Sequence, residues 1–261
     1  MVLHFYKYQA TGNDFIIIDE NENSIPATNT ELIKYLCDRH FGIGADGLMI
    51  YRNHSDSDFE MLYFNSDGNV ATLCGNGGRC ITAFAFDKHY IKKKCKFLAA
   101  DGVHYSEVIE PNLINLKMLD VTYIKKHEDG YEINTGSPHF IIQTCHHIND
   151  VDVFKKGKEI RYQKRFGQNG INVNFVQIID EKTIAIRTYE RGVEAETMSC
   201  GTGSVASAIY TKLSSKDGAY SINVKTLGGN LIVRFDKKEN FFYNVFLIGE
   251  AKKVFEGNIK I

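Results

Sequence analysis

The chain carries almost no excess of charge: 31 Lys and Arg stand against 32 Asp and Glu, a formal net charge of −1. A protein that holds nucleic acid by neutralising phosphates needs a basic face, so this balance argues against that class. The lysine runs are short (Lys92–Lys94, Lys125-Lys126, Lys237-Lys238) and read as solvated loop edges. Also absent is any apolar run of about 18 residues, so no membrane-spanning helix is expected. The start, Met1 to Tyr8, lacks the apolar core of a signal peptide, and the expected compartment is the cytoplasm. The six cysteines, Cys37, Cys74, Cys80, Cys95, Cys145 and Cys200, form no CxxC pair; five residues separate the closest two, Cys74 and Cys80. That spacing excludes a zinc ribbon and a thioredoxin-type motif. In a reducing cytosol most of these thiols should be free, several of them simply buried as small apolar groups.

What is present is enough apolar material for a core: 43% of 261 residues are hydrophobic and 24% are charged. The length fits one large domain or two modest ones. Strand-like segments dominate, at Phe15–Asp19, Gly47–Tyr51, Phe59–Phe64, Asn115–Leu119, Phe140–Thr144, Val173–Ile179, Thr183–Tyr189, Leu231–Phe235 and Phe241–Ile248. They are short, rich in Ile, Val, Phe and Tyr, and bounded by Gly, Asn or Asp. Helical periodicity is present in three places, Glu31–Arg39, Gly77–Tyr90 and Gly203–Leu213. The last two are apolar around most of their circumference, as helices buried on most sides are. Two buried helices among many strands suggest two sheets, each wrapped around one helix.

A repeat supports that arrangement. Cys74-Gly75-Asn76-Gly77 opens the second helix and Cys200-Gly201-Thr202-Gly203 the third, 126 residues apart, and each continues into an alanine-containing helix (Ala83, Ala85; Ala206, Ala208). Upstream, Asn65 lies nine residues before Cys74, and Glu190 lies ten before Cys200. The sequence reads as duplication of one strand–turn–helix unit.

Gly42-Ile43-Gly44-Ala45-Asp46-Gly47 matches the spacing GxGxxG, but a dinucleotide fingerprint needs a strand before it and a helix after it. Here a helix precedes and a strand follows. The glycines are better read as permitting positive φ and close backbone approach.

The Cys-Gly-x-Gly turns are different. A thiol just before a helix start meets the positive end of the helix dipole and outward-pointing backbone N–H groups, which favour its thiolate and can also hold a carboxylate. Two such cysteines in equivalent positions suggest two acid–base groups facing one substrate. Stereoinversion at a carbon bearing a proton uses such a pair, one group removing the proton from one face while the other delivers a proton to the opposite face. A cleft between the two halves is the expected location. The structural alternative is two cysteines in equivalent packing positions of a duplicated fold; an alternative of another class is a redox dithiol or a non-catalytic amino-acid binder, which would need a resolving cysteine that the sequence does not offer.

With these residues in view, the chain resembles the diaminopimelate epimerase family. The blocks that carry the resemblance are Ala10–Phe15, Asp38–Gly44, Phe64–Gly68, Leu73–Gly77, Pro138-His139, Asn172–Phe175 and Tyr189–Gly192 with Cys200–Gly203, in the family's order over nearly the whole chain. The resemblance implies interconversion of LL- and meso-2,6-diaminopimelate by cofactor-independent proton transfer, with no pyridoxal phosphate, metal or nucleotide. It makes Cys74 and Cys200 the acid–base thiols. Asn13, Asn65, Asn172, Glu190 and Arg191 are assigned to the substrate, the backbone of Gly75-Asn76 and Gly201-Thr202 to the carboxylate at the reacting carbon, and His139 with Glu190 to the protonation of the thiols. It implies an α+β fold of two pseudo-symmetric domains, each a curled, mostly antiparallel sheet or barrel around a central helix. The first would span 1–116 with the tail 249–261 and the second 117–248, in a cytoplasmic homodimer with a small-molecule substrate and neither nucleic acid nor membrane as partner. Two positions depart from the best-described members, Ser137 where they have Asn and Gly47 where they often have Gln, which bears on substrate contacts and leaves the thiols untouched. Proline racemases and hydroxyproline epimerases share the fold and the cysteine pair, and are the alternative reading; the related phenazine-pathway isomerase lacks the pair.

Overall fold

The computed structural model of the protein describes residues 2–23 and 25–261. The chain divides into two compact units, Met1–Leu116 with Gly249–Ile261, and Lys117–Ile248. Numbered in chain order, the first unit contains β1 (Val2–Ala10), β2 (Asn13–Asp19), α1 (Thr30–Cys37), β3 (Gly47–Arg52), β4 (Phe59–Asn65), α2 (Gly75–Asp87), β5 (Lys94–Ala99), β6 (Gly102–Glu110) and β7 (Leu113–Lys117). The second contains β8 (Ile124–His127), β9 (Gly130–Asn134), β10 (Pro138–Gln143), α3 (Val153–Arg161), β11 (Asn172–Asp180), β12 (Thr183–Glu190), β13 (Ala195–Thr197), α4 (Gly201–Tyr210), β14 (Gly218–Thr226), β15 (Gly229–Lys238) and β16 (Phe241–Glu250). The last strand, β17 (Lys252–Lys260), returns to the first unit and pairs antiparallel with β1, Val2 opposite Lys260.

The duplication is visible in the strand pairing. In the first unit β17–β1–β2 pair antiparallel, β2 runs parallel to β3 across α1, β3 is antiparallel to β4, β4 runs parallel to β5 across α2, and β5–β6 close as a hairpin. The second unit repeats each step. β8–β9–β10 pair antiparallel, β10 runs parallel to β11 across α3, β11 is antiparallel to β12, β12 runs parallel to β14 across α4, and β14–β15 form the hairpin. Each unit is a curled, mostly antiparallel sheet around one helix. In α2 every residue from Gly75 to Ala85 is buried, and the helix packs against β1, β2, β3, β6 and β17. In α4 Gly201 and Gly203–Ile209 are buried, among β9, β10, β11, β12, β14 and β15.

The structure adds a fourth α-helix that periodicity did not reveal. Helix α3 reads Val-Phe-Lys-Lys-Gly-Lys-Glu-Ile-Arg, buries only Val153, Gly157 and Arg161, and carries a glycine at its centre. Its start is marked by Asp152, whose side chain accepts from the Lys155 N–H. Gly157 is there for contact: a Cβ on it would lie 2.4 Å from Tyr189 Cβ. Two lysine runs are also strand, not loop. Lys125-Lys126 lie in β8, and Lys237-Lys238 end β15, with Lys237 only 7% exposed. Strands such as β8 and β17 show most of their side chains to solvent and therefore lack apolar alternation.

The GxGxxG segment joins α1 to β3, the inverse of a dinucleotide site. Gly44 has φ +81°, and a Cβ on Gly42 would fall 1.9 Å from the Tyr35 carbonyl oxygen. This turn needs glycine for conformation and clearance.

Substituting Gly157→Ala should destabilise the protein by about 1–3 kcal/mol, because the added methyl overpacks against the buried Tyr189. Urea denaturation of the two proteins measures it; equal midpoints would show that α3 and β12 can separate freely.

Candidate active site

Each unit gathers its polar candidates at one end of three neighbouring strands. A parallel pair shares its starting end, and an antiparallel third strand finishes there. In the first unit Asn13 starts β2, Gly47 starts β3, and Asn65, paired with Gly47, ends β4. In the second unit Pro138-His139 starts β10, Asn172, paired with His139, starts β11, and Glu190 ends β12. The buried helix then begins over that end, with Cys74 as N-cap of α2 and Cys200 as N-cap of α4. Both cap residues are extended (φ −91°, ψ 127° and φ −117°, ψ 114°), and neither uses its side chain to cap the helix. The sulfurs thus sit beside the positive end of a helix dipole.

Around Cys74 the hydrogen bonds run through two amides. The hairpin turn Thr11-Gly12 has positive φ at both residues (47° and 83°), a tight two-residue turn that delivers Asn13 to the strand start. Asn13 Oδ1 lies 3.6 Å from Cys74 Sγ and accepts from Asn76 Nδ2 at 3.1 Å. Asn13 Nδ2 donates to Asp46 Oδ2 at 2.7 Å. Behind Asn13, Lys7 and Arg39 grip Asp14, with Lys7 Nζ at 2.7 Å and two guanidinium contacts at 3.1 and 2.7 Å. Burial alone would raise the Asp14 carboxyl, but the hydrogen bonds and charges of Arg39 and Lys7 outweigh it and hold it well below the usual carboxylate range.

Around Cys200 the chain is a hydroxyl–imidazole–amide relay. Cys200 Sγ lies 3.5 Å from Thr202 Oγ1, which lies 2.9 Å from His139 Nε2; His139 Nδ1 lies 2.8 Å from Asn174 Oδ1, and Asn174 Nδ2 donates to Thr188 Oγ1 at 2.8 Å. His139 is fully buried, and that burial, with a smaller effect of the Arg191 charge, pulls its pKa down to about 4. The ring is neutral near pH 7. With an amide oxygen before Nδ1, the proton sits on Nδ1, Nε2 accepts from the Thr202 hydroxyl, and the Thr202 oxygen can accept from the thiol.

Asn172 binds its own unit: Nδ2 donates to Ser137 Oγ at 2.8 Å and to the Pro138 carbonyl at 3.0 Å, and Oδ1 accepts from the Arg191 N–H at 2.8 Å. Ser137 therefore holds Asn172 from its departed position. At the other departure a Cβ on Gly47 would fall 2.7 Å from both the Phe64 carbonyl oxygen and Tyr63 Cε2, so no larger side chain fits there unless its neighbours shift. Glu190 Oε2 accepts from Thr197. The Arg191 guanidinium is partly exposed and has no ion pair among the described residues. Asn65 is exposed at its strand end.

Supporting residues that had no role in the sequence reading include Lys7, Asp14, Arg39, Asp46, Asn174, Thr188 and Arg79, whose guanidinium donates to Asn76 Oδ1. For Asn174 a signal existed, since two residues after Asn172 in a strand is the same face. Asp46 stood within the glycine-rich turn and Arg79 one turn into α2, without a partner in view. Among the described residues no group of three or more His, Cys, Asp and Glu is arranged to hold a metal, and no helix is long and apolar enough to cross a membrane.

Several solved structures share this fold. A phenazine biosynthesis protein of the PhzF family from Bacillus anthracis superposes with TM-score 0.80 at 15% identity, each chain fully covered. A hydroxyproline epimerase from Agrobacterium vitis gives 0.71 at 12%, covering 99% of this chain and 92% of the other. Sequence similarity goes beyond the fold. The diaminopimelate epimerase model matches residues 5–122 and 131–254. The diaminopimelate epimerase of Flavobacterium psychrophilum is 47% identical over 98% of this chain and 100% of its own, and that of Aquifex aeolicus is 38% identical over 98% of each. The chain belongs to the diaminopimelate epimerase family, and it is an epimerase.

The His139 ring should stay neutral down to about pH 5 in NMR spectra of histidine-labelled protein, its signal assigned by loss in His139→Gln. Its folded pKa of about 4 lies below the ordinary 6.5, so between those values the unfolded chain binds more protons. Stability contributed by the neutral ring is therefore complete above about pH 6.5 and is lost as pH falls towards 4. A ring that titrates near 6.5 in the folded protein would refute the buried relay.

Proposed function

We propose that the enzyme interconverts LL- and meso-2,6-diaminopimelate by two-base proton transfer, with Cys74 and Cys200 as the acid–base pair. The observation that carries this reading is the recurrence of one cysteine in one structural role: each stands at the N-cap of the buried helix that crosses between parallel strands, β4 and β5 in one unit and β12 and β14 in the other. The names of the full-length relatives supply the substrate. In each turnover one thiolate takes the α-proton, and the electron pair left on carbon is delocalised into the adjacent carboxylate. The helix-start N–H groups at Gly75-Asn76 and Gly201-Thr202 suit that carboxylate. The other thiol then delivers its proton to the opposite face. The two sulfurs finish with their protonation exchanged; turnover of the opposite isomer, or proton exchange of the two thiols with solvent, restores them.

Asn13, Asn65, Asn172, Glu190 and Arg191 bind the two amino-acid ends, amides and Arg serving carboxylates and Glu with amide oxygens serving ammonium groups. Thr202 and His139 set the protonation of Cys200. No pyridoxal phosphate, metal or nucleotide takes part. On this reading the enzyme works in the cytoplasm as a homodimer and supplies lysine and peptidoglycan precursors.

Incubation with LL-diaminopimelate and no added cofactor should give the meso isomer, followed by chiral chromatography. Proline and hydroxyproline, run beside it, should stay unchanged; turnover of either in place of diaminopimelate would move the enzyme to the alternative. Cys74→Ala and Cys200→Ala should each lower turnover by at least about 10²-fold, the usual range for losing a general acid or base, and normal activity in either folded variant defeats the two-thiol mechanism. Arg191→Lys keeps the charge and loses the planar fork, so KM should rise; unchanged steady-state constants would remove Arg191 from the site.

A further inference from the structure

Helix α2 contains an arginine with no acid to pair with. Arg79 is completely buried, and among the described residues its guanidinium meets only neutral acceptors: Nη2 donates to Asn76 Oδ1 at 2.8 Å and to Thr11 Oγ1 at 3.3 Å, and Nη1 to the Gly75 carbonyl at 3.3 Å. Its Nε has no hydrogen-bond partner there. Burial pulls its pKa down to about 10, so it stays cationic near pH 7. A buried cation is ordinarily paired; here the cation sits one helical turn beyond Cys74.

The hydrogen bonds show what it holds. A guanidinium can only donate, so the Asn76 oxygen must face Arg79, which turns the Asn76 amide nitrogen towards Asn13 Oδ1. At the far end the Asp46 carboxylate can only accept, so it takes the Asn13 nitrogen and leaves the Asn13 oxygen facing inwards, 3.6 Å from Cys74 Sγ. A chain of two amides with a donor-only group at one end and an acceptor-only group at the other has one polarity. Neither amide can flip without placing like against like.

We infer that Arg79 and Asp46 are positioning residues for Cys74, anchoring from opposite ends the Asp46–Asn13–Asn76–Arg79 chain that aims the Asn13 amide oxygen at the sulfur. This rests on Cys74 being an acid–base group. The amide oxygen accepts from the S–H form, while the buried cation favours the thiolate, so the two act on the thiol in opposite directions. Charged and titratable groups near α2 and the turn include Lys7 on β1, Asp14 on β2, Arg39 after α1, which pairs with both Asp14 and Asp46, Cys80 beside Arg79, Asp87 at the end of α2, which accepts from Tyr8, and Asp101, which accepts from the Leu73 N–H and pairs with His104. None of them hydrogen-bonds to Asn13 Oδ1 or to Asn76 Oδ1.

The test is the pH dependence of iodoacetamide alkylation at each cysteine in the folded, substrate-free enzyme, read by peptide mass spectrometry. Asp46→Asn removes a negative charge and lets the Asn13 amide reverse, so Cys74 should titrate lower by about half a pH unit or more, about threefold in thiolate fraction below the midpoint. Arg79→Gln should move it upward by a similar amount, and Arg79→Lys should recover part of that shift. Cys200 in the same molecules should not move. Opposite displacements confined to Cys74 distinguish positioning from general loosening. Unmoved titration of Cys74 in either folded variant, or parallel shifts at both cysteines, overturns the inference. Should Arg79→Gln not fold, Asp46→Asn at a half-exposed side chain decides alone. Normal turnover by Cys74→Ala would instead defeat the acid–base reading on which the inference rests.

Discussion

A helix start pressed directly onto strand side chains, with no room for a Cβ in the second half and little in the first, is the constraint on which both halves are built. On Gly203 a Cβ would lie 2.4 Å from Asn174 Nδ2 and 3.2 Å from His139 Cε1; on Gly77 it would lie 3.3 Å from Met49 Sδ and 3.7 Å from Phe15 Cε1. The second glycine of each Cys-Gly-x-Gly turn therefore belongs to packing. It lets the first turn descend onto the strand ends, which brings the N-cap sulfur into reach of side chains on neighbouring strands. At Gly203 any larger residue must displace Asn174 or lift the helix; at Gly77 a methyl needs Met49 to give by a few tenths of an ångström.

The two copies then diverge at matching positions. Strand pairing sets Phe15 beside Gly47 in one unit and His139 beside Asn172 in the other, so Phe15 stands where His139 does and Met49 where Asn174 does. Beneath Gly203 lies a buried polar pair continuing through Thr202 to Cys200; beneath Gly77 lie an aromatic ring and a thioether. The first unit recovers polar contact for its thiol from the turn above the sheet, through Asn13 and Asp46, and from within the helix, through Asn76 and Arg79. The second unit has Thr202 and Val205 in the latter two places, and Val205 is fully buried core. A buried arginine in one copy and a buried valine in the other, on the same skeleton, is a change of chemistry with the backbone conserved.

Much of this was legible in the residues because the backbone rules are local. The glycines flanking Cys74 and Cys200, the repeat spacing, and the inverted order around Gly42–Gly47 all read correctly from sequence, since turns and helix starts depend on few neighbours. The thiols' neighbours did not follow from local pattern; Asn13, His139 and Thr202 came only with the family resemblance. Asp46 meets Asn13 across 33 positions, and His139 meets Thr202 across 63, contacts made by strand register that no window of sequence displays. Helix α3 escaped because its central glycine and four lysine or arginine residues conceal a narrow buried stripe, and its glycine answers to Tyr189, far along the chain. Strands β8 and β17 escaped because exposed strands carry no apolar alternation to detect.

The unequal support of the two thiols follows from what inversion requires. If Cys74 and Cys200 act as the pair proposed, one must hold a proton and the other must lack it when substrate arrives. Duplication alone would give both sulfurs the same environment and the same preference. In the second unit the thiol faces a hydroxyl–imidazole–amide relay whose ring is kept uncharged by burial. In the first it faces one amide oxygen whose direction is fixed by full charges, a carboxylate at the rim and a guanidinium in the core. Dipoles and charges respond differently to the approach of a charged substrate: buried dipoles change little, whereas a cation one turn beyond the sulfur draws closer in effect as water leaves and the local dielectric falls. The shared skeleton sets where each sulfur stands in its own unit, and the divergent support gives the two sulfurs different surroundings.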